Sequence, residues 1–163
     1  MTGLRELFGD ARRSLADAPQ EKLGELLPER RILGIPRAAR IAPRGAAWHL
    51  GVLLLTDEGV LETGDIVRAR EEVRRGFTAE SQRQRAALAA AARRGGFAEG
   101  ETVHLGWHEL DLDAVQRGGT SGPLALRDGE PVVRWSHSGG VVPLAGYLEE
   151  RVELLRHPPQ GAT

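Results

Sequence analysis

Each of the three tryptophans has a histidine within two residues: Trp48-His49, Trp107-His108 and Trp135-Ser136-His137. Imidazole titrates near neutral pH and can serve as acid, base or ligand, while indole offers an apolar wall or stacking face. If the segments carrying these pairs lie side by side, three imidazoles and three indoles could line one pocket. His49, His108 and His137, with Ser136 as nucleophile, are then the candidate catalytic residues. Trp48 and Trp135 are candidate ligand contacts. Alternation works against one shared pocket, because neighbours on a strand point to opposite faces. Only Trp135 and His137 share a face. The favoured expectation is that the indoles are core and the imidazoles hydrogen-bonded at its margin.

Other constellations are weaker. His104 and His108 have the i, i+4 spacing of a helical metal chelate, but Thr-Val-His-Leu-Gly-Trp-His reads as a strand. Four strand residues span roughly 13 Å, too far for one ion without a bend at Gly106. No metal site and no cofactor are expected. The glycine pairs Gly95-Gly96, Gly118-Gly119 and Gly139-Gly140 read as turn chemistry. Gly-Gly-Thr-Ser-Gly at 118–122 lacks the Lys-Ser/Thr ending of a phosphate loop. There is no nucleophile elbow, no cysteine, and a single lysine, Lys22, so Ser-x-x-Lys and thiol chemistry are both excluded.

Arg30, Arg31, Arg37, Arg40 and Arg44 follow one another without an intervening acid. Guanidinium forks bind carboxylate or phosphate at two points, so the 30–44 segment is a candidate site for a small anionic ligand, with Arg37 and Arg40 foremost. A solvated basic face is the blander expectation. The chain of 163 residues carries a net charge of -1, unevenly spread. Residues 30–56 and 68–94 each carry +5, while 57–67 carry -4 and 95–163 carry -5. With near-zero net charge, 4% aromatics and no binding motif, nucleic acid is disfavoured. No signal core opens the chain, and its longest apolar run, Ala46 to Leu55, is too short to span a bilayer. A cytoplasmic protein with no membrane partner is expected, and a homo-oligomer is compatible with the sequence.

The elements that must hold these residues follow from periodicity. Leu4, Leu7, Phe8, Ala11 and Leu15 make one face of a helix from Thr2 to Ala18. Gln20 to Leu27 reads as a short second helix. Ile32 to Ile35 and Ala38 to Ala42 read as extended pieces separated by Pro36 and Pro43. Trp48 to Thr56 reads as one central strand, apolar on both faces, followed by a turn at Asp57-Glu58-Gly59 and a return from Val60 to Thr63. Ile66 to Val73 is ambiguous between strand and helix. Thr78 to Arg94 is helical, capped by Thr78 and ended by Gly95. Thr102 to Trp107 is a strand and Asp111 to Gln116 a helical turn. A hairpin spans Pro123–Arg127 and Pro131–Ser136 around Asp128-Gly129, and a last helix starts at Pro143. The class is α+β: a largely antiparallel sheet of about five or six strands with N-terminal, central and C-terminal helices. One domain over 1–157, with a frayed tail at 158–163, is the expected organisation.

Several runs also resemble a family of small actinobacterial proteins. They are Arg31-Ile-Leu-Gly-Ile-Pro-Arg-Ala-Ala-Arg-Ile, Ala47-Trp-His-Leu-Gly-Val-Leu-Leu-Leu, Thr63-Gly-Asp-Ile-Val-Arg-Ala, Arg94-Gly-Gly-Phe-Ala-Glu-Gly and Val142-Pro-Leu-Ala-Gly-Tyr-Leu. Some members of that family are labelled glutaminases, so the resemblance implies an amide hydrolase acting on glutamine. Serine-dependent glutaminases use a Ser-x-x-Lys pair and amidotransferase types use cysteine. This chain has neither. Two functions therefore stand at the level of sequence. The first is a small binding or interaction module with an anion site on residues 30–44. The second is a hydrolase built on His49, His108, Ser136 and His137.

Overall fold

The computed structural model describes residues 2–72 and 79–161. Along them run α1 (Leu4–Ser14), β1 (Glu21–Leu27), β2 (Arg30–Ile32), β3 (Ile35–Arg37), β4 (Arg40–Leu50), β5 (Leu53–Leu55), β6 (Val60–Glu62) and β7 (Asp65–Arg68). Then come α2 (Glu80–Arg94), β8 (Thr102–Leu105), β9 (His108–Glu109), α3 (Leu112–Gln116), β10 (Leu124–Arg127), β11 (Glu130–Arg134), β12 (Val141–Pro143) and α4 (Leu144–Arg156). The class is α+β. Among the described residues, no helix is long and apolar enough to cross a membrane. The chain divides into two units, which we call A (Met1–Gln20, Ala47–Thr63 and His108–Thr163) and B (Glu21–Ala46 and Gly64–Trp107).

Unit A gathers large apolar side chains. Leu4, Phe8, Ala11 and Leu15 recur on one face of α1, and that face is buried as the spacing requires. They join Leu53, Leu55, Val133, Leu144 and Tyr147 in one core. Antiparallel pairing runs from the end of β4 through β5 and β6 to β9, and β10, β11 and β12 form a separate antiparallel sheet. The apolar run expected as a single strand from Trp48 to Thr56 is instead a hairpin, with Trp48 opposite Leu55 and Leu50 opposite Leu53. Its turn is Gly51-Val52. Gly51 has φ +66, and an added Cβ would lie 2.0 Å from the Tyr147 hydroxyl. That hydroxyl accepts from Val52 N and donates to the Leu50 carbonyl, each at 2.9 Å, so a helix side chain closes the turn.

Unit B is built differently. Its strands lie in the order β7, β8, β1, β4, with α2 against β7. β1 pairs in parallel with β8, Lys22 opposite Val103 and Leu23 opposite His104. The helix expected over Gln20 to Leu27 is thus a strand; pairing with β8 and burial of Leu23 override a weak local preference. α2 presents Ala89, Ala91 and Ala92 to a core with Ile41, Val67, Phe97 and Val103. These small side chains let it come close. At Gly95 an added Cβ would meet the Ile41 carbonyl oxygen at 1.7 Å. Gly95 itself has φ -76, so close approach and not left-handed backbone requires glycine there; the left-handed residue is Gly96. The cap expected at Thr78 lies outside the described residues, and the residue before α2, Ala79, makes no side-chain cap. Pro143 precedes the first helical residue of α4 rather than occupying it.

From the same unit emerges a two-stranded arm. β2 and β3 pair Arg30 with Arg37, Arg31 with Pro36 and Ile32 with Ile35 around the two-residue turn Leu33-Gly34. Both turn residues have positive φ, 52 and 79, the geometry of the tight hairpin turns that suit strand twist. The extended piece expected over Ala38 to Ala42 continues as β4 through Pro43, whose side is exposed.

Candidate functional site

The sequence-predicted residues do not converge as a set. Trp48 is buried in the core of unit A, and its indole N–H donates to the Ala18 carbonyl at 3.0 Å. His49, on the same strand, places Nε2 3.0 Å from the Gly51 carbonyl. A carbonyl only accepts, so this nitrogen carries the proton in that bond. Trp107, in unit B, donates to the Gly24 carbonyl at 3.1 Å. For Trp48, Trp107 and His49 the structure therefore shows indoles satisfied by main chain and an imidazole bonded at a turn.

Three of the candidates do come together. Trp135, Ser136 and His137 follow β11 and line a cavity of about 310 Å³, with Glu62 from β6 and Arg134 from the end of β11. His108 stands opposite Glu62 in the β6–β9 pair, so it occupies the same face of that ladder. The 135–140 loop is folded on itself: Trp135 N donates to the Gly140 carbonyl at 3.0 Å and Gly139 N to the Ser136 carbonyl at 3.3 Å. The Ser136 hydroxyl lies 3.1 Å from that of Ser138 and accepts from Gly140 N at 3.4 Å. Among the described residues no hydrogen bond joins Ser136 to a histidine, so the nucleophile–base contact of a serine hydrolase is not formed. This wall sets an indole and a hydroxyl beside a carboxylate and a guanidinium. Glu62 and Arg134 went unnoticed in the sequence because each is one charge among many. They meet at one cavity only in the folded chain, Glu62 from β6 and Arg134 from the end of β11.

Arg37 and Arg40 are exposed, on β3 and at the start of β4. They belong to a larger feature. Every residue from Arg30 to Arg37 is exposed, and the arm carries Ile32, Leu33 and Ile35 at its tip, Leu33 being 97% exposed. Arg44, by contrast, is engaged: its Nε donates to Glu25 at 2.7 Å. Unit B also has a groove of about 690 Å³ between β7 and α2, lined by Arg68, Arg70 and Arg85 together with Asp65, Ile66 and Leu88.

His104 is the one fully buried polar side chain among the described residues, and its Nε2 lies 3.2 Å from Glu21 Oε1. The parallel register places these residues on adjoining strands. Reading residues 20–27 as a helix hid that pairing. In unit A, Arg12 makes a further, partly buried contact, donating from Nε to the Thr56 carbonyl at 2.8 Å and from Nη2 to the Gly59 carbonyl at 3.1 Å. Burial lowers its pKa from the ordinary value, and the nearby Asp57 opposes that shift.

The formal charges follow the two units. Unit B holds 14 basic and 9 acidic residues, a net +5, and unit A holds 8 basic and 14 acidic, a net -6. No protein-family model, curated protein or solved structure matches the chain.

Proposed function

We propose that the protein is an interaction module whose β2–β3 arm docks onto an acidic protein surface containing an apolar notch. The observation that carries this reading is Leu33. A leucine at φ 52 costs about 1 kcal/mol of backbone energy, which glycine or asparagine would avoid. At 97% exposure it recovers nothing from its own fold. Buried in a partner, Leu33 and Ile35 would each contribute about 1.5–3 kcal/mol. Arg30, Arg31 and Arg37 flank them as forks for carboxylates. A protein fits better than nucleic acid or an anionic bilayer, because the nine acids interspersed in unit B make its field mixed, not uniformly positive.

The test compares wild type with Leu33→Asn and with Arg30→Gln/Arg31→Gln/Arg37→Gln. Partners recovered by affinity capture are purified and their binding measured directly. An acidic protein whose affinity falls at least about ten-fold with either variant, and weakens with salt, supports the reading. Equal binding by the variants overturns it. So does Leu33-dependent binding to phosphatidylglycerol vesicles or duplex DNA without any such protein.

A further inference from the structure

Glu62 and Arg134 are opposite charges on the wall of one cavity of about 310 Å³, and among the described residues neither belongs to an ion pair. Both lie beside Gly122. Arg134 Nη2 donates to the Gly122 carbonyl at 3.5 Å, and a Cβ on Gly122 would come within 2.8 Å of Glu62 Oε2. Gly122 itself has φ +51, so its backbone also favours glycine. A partly buried carboxylate and an exposed guanidinium thus line one cavity without pairing with each other, and both are open to a ligand that carries the opposite charges.

Around them the wall is part polar and part apolar. Trp135 is half exposed, and Val52 and Pro123 complete an apolar side, while Ser136 adds a hydroxyl. The indole lies against Gly140: a Cβ there would fall 2.3 Å from its Nε1, and the main chain of Trp135 bonds to Gly140. The volume is at the small end of ligand cavities.

We infer that this cavity binds a small zwitterion of the amino-acid type. Glu62 takes the ammonium, Arg134 the carboxylate, and Trp135 the apolar body. The inference stands on unit A alone and is independent of the β2–β3 arm.

Two-dimensional NMR of the indole N–H groups tests it, with the Trp135 signal assigned through Trp135→Phe. The probes are glycine, L-leucine and L-phenylalanine, beside isocaproate, which lacks the ammonium, and isopentylamine, which lacks the carboxylate. An amino acid should shift the Trp135 signal saturably and leave that of buried Trp48 in place. Its affinity should exceed that of either singly charged probe by at least about ten-fold. Glu62→Gln and Arg134→Gln should each weaken it by about ten-fold, with an unchanged Trp48 signal showing that the fold is intact. No saturable shift up to about 10 mM of any amino acid overturns the site, since weaker binding would not reflect two charge contacts. Equal binding of isocaproate or isopentylamine also overturns it, leaving a site for one charge only.

Discussion

Unit A buries Phe8, Trp48, Tyr147 and a set of leucines, whereas unit B fills its core largely with the alanines of α2 and the aliphatic residues of its sheet. Where large hydrophobic residues are exposed, the bias reverses. Of the seven among the described residues, Leu26, Ile32, Leu33, Ile35 and Ile66 lie in unit B and only Trp135 and Leu154 in unit A. Unit A places its apolar side chains inside and carries net negative charge. Unit B leaves several outside, beside arginines. A single exposed apolar residue is ordinary, but three of those in unit B, Ile32, Leu33 and Ile35, stand together at the tip of the arm. That difference separates a unit that encloses its large apolar side chains from one that presents several of them on its surface, above all on the arm.

The contrast breaks first at the cores. Phe8→Ala removes a fully buried ring from unit A and should cost about 3–5 kcal/mol. The same kind of truncation is unavailable to the alanine face of α2, where the vulnerable change is an addition. Gly95→Ala forces a methyl group onto the Ile41 carbonyl and should cost about 1–3 kcal/mol or more, because backbone must move. Urea unfolding followed by far-ultraviolet circular dichroism measures both. A neutral Gly95→Ala would show that α2 does not approach the sheet as closely as the geometry demands.

Much of this was legible beforehand, and what was missed has physical reasons. The α1 face, the short helix near Asp111 to Gln116 and the Asp128-Gly129 hairpin follow from periodicity and turn chemistry, which act over a few residues; that Asp111 caps this helix rather than opening it is seen in the structure. The Asp111 carboxylate accepts from Ala114 N at 2.9 Å, a local bond. The errors at residues 20–27 and 48–56 involve distant partners. β1 is a strand because β8, some 80 residues on, pairs with it, and the Gly51-Val52 turn is closed by Tyr147 from α4. Candidate residues fared likewise. Trp135, Ser136 and His137 were visible as neighbours in sequence, but Glu62 becomes their companion only through tertiary structure.

At the arm the expected effect is smaller and opposite in sign. Leu33→Asn replaces a residue strained at φ 52 by one that accepts left-handed backbone, and it surrenders almost no buried surface. Stability should rise by up to about 1 kcal/mol. Leu53→Ala in unit A, by comparison, should cost about 2–5 kcal/mol. Paired thermal and urea unfolding distinguishes them. A marked loss of stability on Leu33→Asn would mean that the tip is packed after all, and the contrast between presenting and enclosing units would fail.

The smallest effect concerns a charge pair on the surface of unit A. Arg5 Nη2 lies 2.5 Å from Asp113 Oδ1. The hydrogen bond from Arg5, with its charge and a further contribution from Arg117, holds the Asp113 pKa below its ordinary 3.8. A carboxyl whose pKa is lower in the folded state binds its proton more weakly there than when unfolded. Its contribution to stability is therefore fully present above the unfolded value and fades as pH falls through the folded one. Both side chains are well exposed, so salt screens the pair and the gain is slight. Asp113→Asn should leave unfolding at pH 7 nearly unchanged and make the decline in stability below about pH 4 shallower. Urea midpoints from pH 2.5 to 7, at low and high salt, measure this. An acid limb identical in the variant and wild type would show that the Arg5 contact does not persist in solution.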